Sequence, residues 1–112
     1  MKRGDLFDAR LSPTEGSEQA GVREVFFVIN ESMNKVSSVN IVLSVTSAKK
    51  GKRSYPNNVL INAGEGGLTA DSVALGGQVR AITKARLLRQ RGSLSPQVMT
   101  QIDQILRITL DL

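Results

Sequence analysis

The chain contains no cysteine, no histidine and no tryptophan. Without cysteine it forms neither disulfides nor thiolate metal sites, and without histidine it lacks the commonest metal ligand and general base. Aromatic residues are scarce, at 4% of the chain: Tyr55, Phe7, Phe26 and Phe27. The longest apolar run, Val25 to Ile29, is far short of the roughly 20 residues that cross a membrane. No charged, hydrophobic and small-residue succession opens the chain as a signal peptide would. These absences predict a soluble, cytoplasmic protein with no membrane partner.

What is present is basic. The 112 residues carry a net charge of +5 and a pI near 10.1, with the cations in two clusters. Lys49, Lys50, Lys52 and Arg53 form one, and Arg80, Lys84, Arg86, Arg89 and Arg91 the other. Such a balance suits an anionic partner, either nucleic acid or an acidic protein segment. For the first cluster alone, an ordinary solvated surface is an equal reading.

The length is that of one domain, residues 1–112, able to bury a core of its own. Gly4 to Leu11 alternates as a first strand, and Ser12 to Gly16 breaks it. Val25 to Ile29 is apolar throughout, as expected of a central strand covered on both faces, and Asn30 to Val36 reads as a helical turn. In the next strand Val39, Ile41, Leu43 and Val45 share one face, with Asn40, Val42, Ser44 and Thr46 on the other. Lys49 to Asn58 reads as a mobile connection. Val59 to Ile61, Ser72 to Leu75 and Gln78 to Ile82 are further strands, the last two parted by Gly76 and Gly77. Ser95 caps a helix with Pro96 at its first position, and Val98, Ile102, Ile105, Leu106 and Thr109 recur at helical spacing up to about Leu110. Many short strands and one terminal helix predict a mainly β fold, a small bent sheet or barrel with the helix packed on it.

The densest signal is Gly16-Ser17-Glu18-Gln19-Ala20-Gly21-Val22-Arg23. This Gly-bounded loop delivers a carboxylate and a guanidinium to the mouth of the buried strand, where catalytic and binding groups tend to lie. Together with Arg3-Gly4-Asp5, Thr46-Ser47, and Asp71 to Leu75 followed by Gln78, it resembles the MazF/PemK family of toxin endoribonucleases over nearly the whole chain. The resemblance implies an SH3-like barrel of the CcdB/MazF/PemK type with a C-terminal helix, and a homodimer. It also implies a single-stranded RNA substrate, no cofactor or metal, and a cognate antitoxin, in complex with which the toxin binds DNA.

Cutting RNA without a metal requires the 2′-hydroxyl to lose its proton, the phosphorane to be stabilised and the leaving 5′-oxygen to be protonated. The acidic residues show no recognisable metal-ligand spacing. Arg23 is the first candidate for the centre, since a planar guanidinium holds two phosphate oxygens at once. In the family the matching Arg is essential. A guanidinium makes a poor base, so charge stabilisation, with proton donation to the leaving oxygen, is the role it suits. Thr46, which partners the Arg in the family, can donate to a nonbridging oxygen, and Ser47 can assist. Glu18 can accept the 2′-proton or orient Arg23, and Gln19 beside it is a candidate RNA contact.

Gln78 can read a base edge or a phosphate. Arg80 and the loop cations Lys49, Lys50, Lys52 and Arg53 suit an RNA track, and Tyr55 can stack a base. Read singly, Arg23 is a strand-edge arginine, Thr46 a β-branched strand former, Glu18 a solvated loop residue and Gln78 a polar strand end. Two positions depart from the family: Glu24 stands where most relatives have proline, and Gly77 where they carry an acid before the Gln. The base role given to that acid in the PemK branch therefore has no counterpart at Gly77. Two other readings follow, a non-catalytic member that binds RNA or antitoxin, and a gyrase poison like CcdB. The latter activity relies on a tryptophan near the C-terminus, and this chain ends Ile108-Thr109-Leu110-Asp111-Leu112.

Overall fold

Phe26 and Phe27, neighbours in the chain, are both fully buried and belong to separate apolar clusters on the two faces of one sheet. The computed structural model describes residues 2–11, 21–48 and 56–112. Its strands are β1 (Asp5–Arg10), β2 (Val22–Phe27), β3 (Val39–Ser47), β4 (Asn58–Ile61), β5 (Ser72–Thr83) and β6 (Leu87–Ser93). Helix α1 (Glu31–Val36) joins β2 to β3, and α2 (Pro96–Leu110) closes the chain. All six strands lie in one antiparallel sheet in the order β4-β5-β3-β2-β1-β6.

Alternation along the strands explains the two clusters. Leu6, Phe26, Leu43, Val45, Val59, Ile61 and Ala74 gather on one face, and α2 lays Ile102 and Ile105 against them. Phe7, Ala9, Leu11, Val25, Phe27, Val42 and Ile82 gather on the other, where the Phe7 and Phe27 rings stack at 5.0 Å. The central strand expected at Val25 to Ile29 is thus covered on both faces, although it starts at Val22 and ends at Phe27. The predicted helix is present as read, with the Ser95 side chain accepting from the Val98 N–H at 3.2 Å.

Two features differ from the sequence expectation. Residues 72–83 form one strand rather than two, because Gly76 and Gly77 sit in a bulge. The β3–β5 register steps from Leu43↔Val79 to Ser44↔Leu75, leaving Gly76, Gly77 and Gln78 opposite no residue of β3. Glycine is required at the first of these, where a Cβ would stand 1.8 Å from the Asn57 carbonyl oxygen. Second, Leu87–Ser93 is a strand that the sequence hides, since its polar and basic residues do not alternate with apolar ones. Val39, Ile41, Leu43 and Val45 share one face as read, with Val39 and Ile41 exposed and Leu43 and Val45 buried.

Candidate active site

Between β1 and β2 the Leu11 N–H donates to the Gly21 carbonyl at 2.7 Å. Gly21 has φ +77, a backbone conformation that disfavours any side chain. A Cβ there would lie 3.9 Å from the Arg23 Nη1. Gly21 therefore adjoins Arg23, which is partly exposed and donates from Nη1 to the Val22 carbonyl at 3.0 Å.

Strand β2 pairs with β3 through Val25↔Ser44, Phe26↔Leu43 and Phe27↔Val42. Carried two residues further, this register sets Arg23 at the position of Thr46. Alternation turns both to the face of Val25, Phe27 and Val42, away from α2. Thr46 is itself held by β5 opposite Val73 and is half-buried. Ser47, the next residue, takes the opposite face, so it does not share the Arg23 and Thr46 surface.

Arg80 lies opposite Val42 and hence on the Thr46 face, about 13 Å further along β3 at ~3.3 Å per residue. That spacing sets Arg80 apart from Thr46. Gln78 is in the bulge and lines a recess with Asn57, Asn58, Leu75 and Gly77. Glu18, Gln19, Lys49, Lys50, Lys52, Arg53 and Tyr55 lie outside the described residues.

Glu24 goes to the face opposite Arg23, as a strand requires, and has a structural function there. It stands directly across from Asp8, and two adjacent carboxylates on one sheet face repel. Arg91 of β6 compensates them, with Nη1 3.1 Å from Asp8 and 3.7 Å from Glu24, while its Nη2 donates to the Gly67 carbonyl at 3.1 Å. Arg89 adds a second ion pair to Asp8 at 3.4 Å. The second basic cluster therefore does not form one surface. Lys84 donates to the Asn34 carbonyl, Arg86 to the Arg10 carbonyl, and Arg91 is occupied with the two acids. Sequence reading missed these pairings because their partners are more than 45 residues away in the chain.

Among the described residues no group of three or more acidic side chains converges as a metal site would require, and no helix is long and apolar enough to cross a membrane.

Residues 2–110 match the model of the PemK-like, MazF-like toxins of type II toxin-antitoxin systems. The chain belongs to this family. It is 41% identical over 112 residues to "Endoribonuclease EndoA" of Bacillus subtilis (strain 168), covering 100% of this chain and 96% of that protein. Its fold is similar to that of an endoribonuclease solved in complex with its cognate antitoxin from Mycobacterial species, with a TM-score of 0.83 at 18% identity, covering 100% of this chain and 96% of that one. It is similar also to MazF from Deinococcus radiodurans, with a TM-score of 0.82 at 23% identity, covering 100% and 97%. The expected bent β-sheet with a C-terminal helix is the family's fold.

Proposed function

We propose that this chain, an endoribonuclease toxin of the MazF/PemK type, cuts single-stranded RNA without a metal at a centre built on Arg23 and Thr46. The observation that carries this reading is that Arg23 and Thr46 each lie two residues beyond the last β2–β3 pair and alternate to the same face, with Gly21 next to Arg23.

The RNA 2′-oxygen attacks the adjacent phosphorus, the P–O5′ bond breaks, and the products are a 2′,3′-cyclic phosphate, opened in turn to a 3′-phosphate, and a 5′-hydroxyl. The Arg23 guanidinium holds two nonbridging oxygens and gains most as charge builds on the phosphorane. It also supplies the proton to the departing 5′-oxygen. The Thr46 hydroxyl donates to a nonbridging oxygen. Glu18 takes the 2′-proton, the one carboxylate left in the motif once Glu24 is turned to the other face and tied to Arg91. Arg80 and the cations Lys49, Lys50, Lys52 and Arg53 hold the RNA backbone by charge.

The partner that silences this activity is a cognate antitoxin, an acidic and apolar extended segment laid along the RNA track, and the toxin acts as a cytoplasmic homodimer of single-domain chains. A second reading, binding without cutting, is favoured by Gly77, which places no acid before Gln78. Incubation with a long single-stranded RNA in EDTA, with fragment ends mapped beside an Arg23→Ala control, separates the two. Discrete cuts with 5′-hydroxyl ends that vanish in the control support cleavage at Arg23; intact RNA supports binding alone.

A further inference from the structure

Ser44 is fully buried on the face of β3 that carries Thr46, and its Oγ has no hydrogen-bond partner among the described residues. A hydroxyl so placed costs stability, and its surroundings give no packing reason for it. Val25, paired with it on β2, and Val42, two residues away on its own strand, are apolar and fully buried, so alanine would serve the core as well. Two other buried side-chain atoms among the described residues also lack partners. The Asn40 Oδ1 belongs to an amide already held through its Nδ2 by Asn34 at 2.7 Å, and Thr109 lies on α2, the helix on the opposite face of the sheet from Thr46. Of the three, Ser44 alone is within two residues of a group of the proposed centre.

The pairing Val25↔Ser44 makes Arg23 the diagonal neighbour of Ser44 on the same face, roughly 7–8 Å away and within reach of a long side chain. In this structure the guanidinium lies back toward the start of β2, where Nη1 donates to the Val22 carbonyl at 3.0 Å and stands 3.9 Å from the position of a Gly21 Cβ. A guanidinium has five N–H donors. Two of them suffice for the nonbridging oxygens of one phosphate, which leaves the inner edge of the plane to be fixed by the protein. A serine oxygen suits that task in two ways. Its hydroxyl rotates to present a lone pair, and being neutral it leaves the whole positive charge of Arg23 for the phosphorane, which a carboxylate in its place would offset. Its apolar surroundings strengthen such a hydrogen bond once it forms.

We propose that Ser44 is a positioning residue: as RNA draws Arg23 inward onto the scissile phosphate, the Ser44 Oγ accepts a hydrogen bond from the inner edge of the guanidinium and fixes its plane. The buried hydroxyl that lacks a partner in the free protein gains one in the reacting complex. The proposal rests on the endoribonuclease reading above. Its test is single-turnover RNA cleavage, RNA affinity and thermal melting for the natural protein, Ser44→Ala and Ser44→Cys. Both variants remove the oxygen, and cysteine comes close to the volume of serine. The expected result is cleavage slower by about tenfold or more in both, as for the loss of a hydrogen bond to a charged group. RNA affinity should fall far less than the rate, because many backbone contacts set it, and the melting temperature of Ser44→Ala should not fall. A purely structural serine would move the melting temperature and leave the rate alone. An unchanged rate in Ser44→Ala, a loss confined to RNA affinity, or full rate in Ser44→Cys beside a slow Ser44→Ala would overturn the role of Ser44 while leaving the cleavage reading intact. A natural protein that cuts no RNA would overturn both.

Discussion

Arg23 and Thr46 each lie two residues beyond the last β2–β3 pair, Val25↔Ser44, and strand alternation turns both away from α2. The strands that carry them are anchored deep in the molecule by Val25, Phe26, Leu43 and Val45, all fully buried. A rigid sheet therefore carries the two groups that the proposed mechanism places on one phosphate.

Gly76 and Gly77 are adjacent but should respond differently to the same substitution. Gly76→Ala drives a Cβ into the Asn57 carbonyl and should cost about 1–3 kcal/mol or more, in the manner of overpacking. Gly77→Ala meets only an ordinary contact and should stay within about 0.5 kcal/mol of the natural protein, as surface changes do. Urea unfolding of the two variants checks this, and equal losses would contradict it.

The sequence made the outer form of the fold legible because its signals are local. Ser95-Pro96 and the apolar spacing behind it place α2, and five adjacent apolar residues place the central strand. It concealed β6, since Leu87–Ser93 is held by pairing with β1 and not by any alternation of its own. It also presented the Gly76-Gly77 pair as a break between strands, because a bulge and a turn use the same residues and only the distant Asn57 carbonyl distinguishes them. For the candidate site, the motif names Arg23 and Thr46 as candidates, but that they share a face follows from β2–β3 pairing, which no local pattern contains.

Arg91 should prove structural. Replacing it with alanine leaves Asp8 and Glu24 facing each other without their shared cation. The expected loss is about 1.5–3 kcal/mol, the range for hydrogen bonds to charged groups. Cleavage per folded molecule should be retained. Denaturant unfolding together with an RNA cleavage assay on the same preparation reads both quantities, and full stability with lost cleavage would assign Arg91 to RNA instead.

Ser44 is fully buried and its Oγ has no hydrogen-bond partner among the described residues. A buried hydroxyl without a partner carries an uncompensated desolvation cost, so Ser44→Ala should stabilise the protein by about 1 kcal/mol. A melting temperature that falls would show that the hydroxyl is satisfied in solution.

Metal removal should leave the reaction untouched. The proposed chemistry uses a guanidinium, a hydroxyl and a carboxylate, none of which needs a cation to act. Cleavage rates in EDTA and in millimolar Mg²⁺ should agree once ionic strength is matched, because salt by itself weakens RNA binding. A rate that falls in EDTA and returns with the metal would replace this mechanism.

The most direct measurement is a double-mutant cycle on single-turnover RNA cleavage with Arg23→Ala, Thr46→Val and the pair. Valine keeps the shape and strand preference of threonine and removes only the hydroxyl. If both side chains hold the same phosphate, each single change should slow cleavage by about 10²–10³, the loss seen for one preorganised donor, and the double variant should be little slower than Arg23→Ala alone, as for residues acting as a unit. Full activity in Thr46→Val, or losses that multiply independently, would contradict a shared centre.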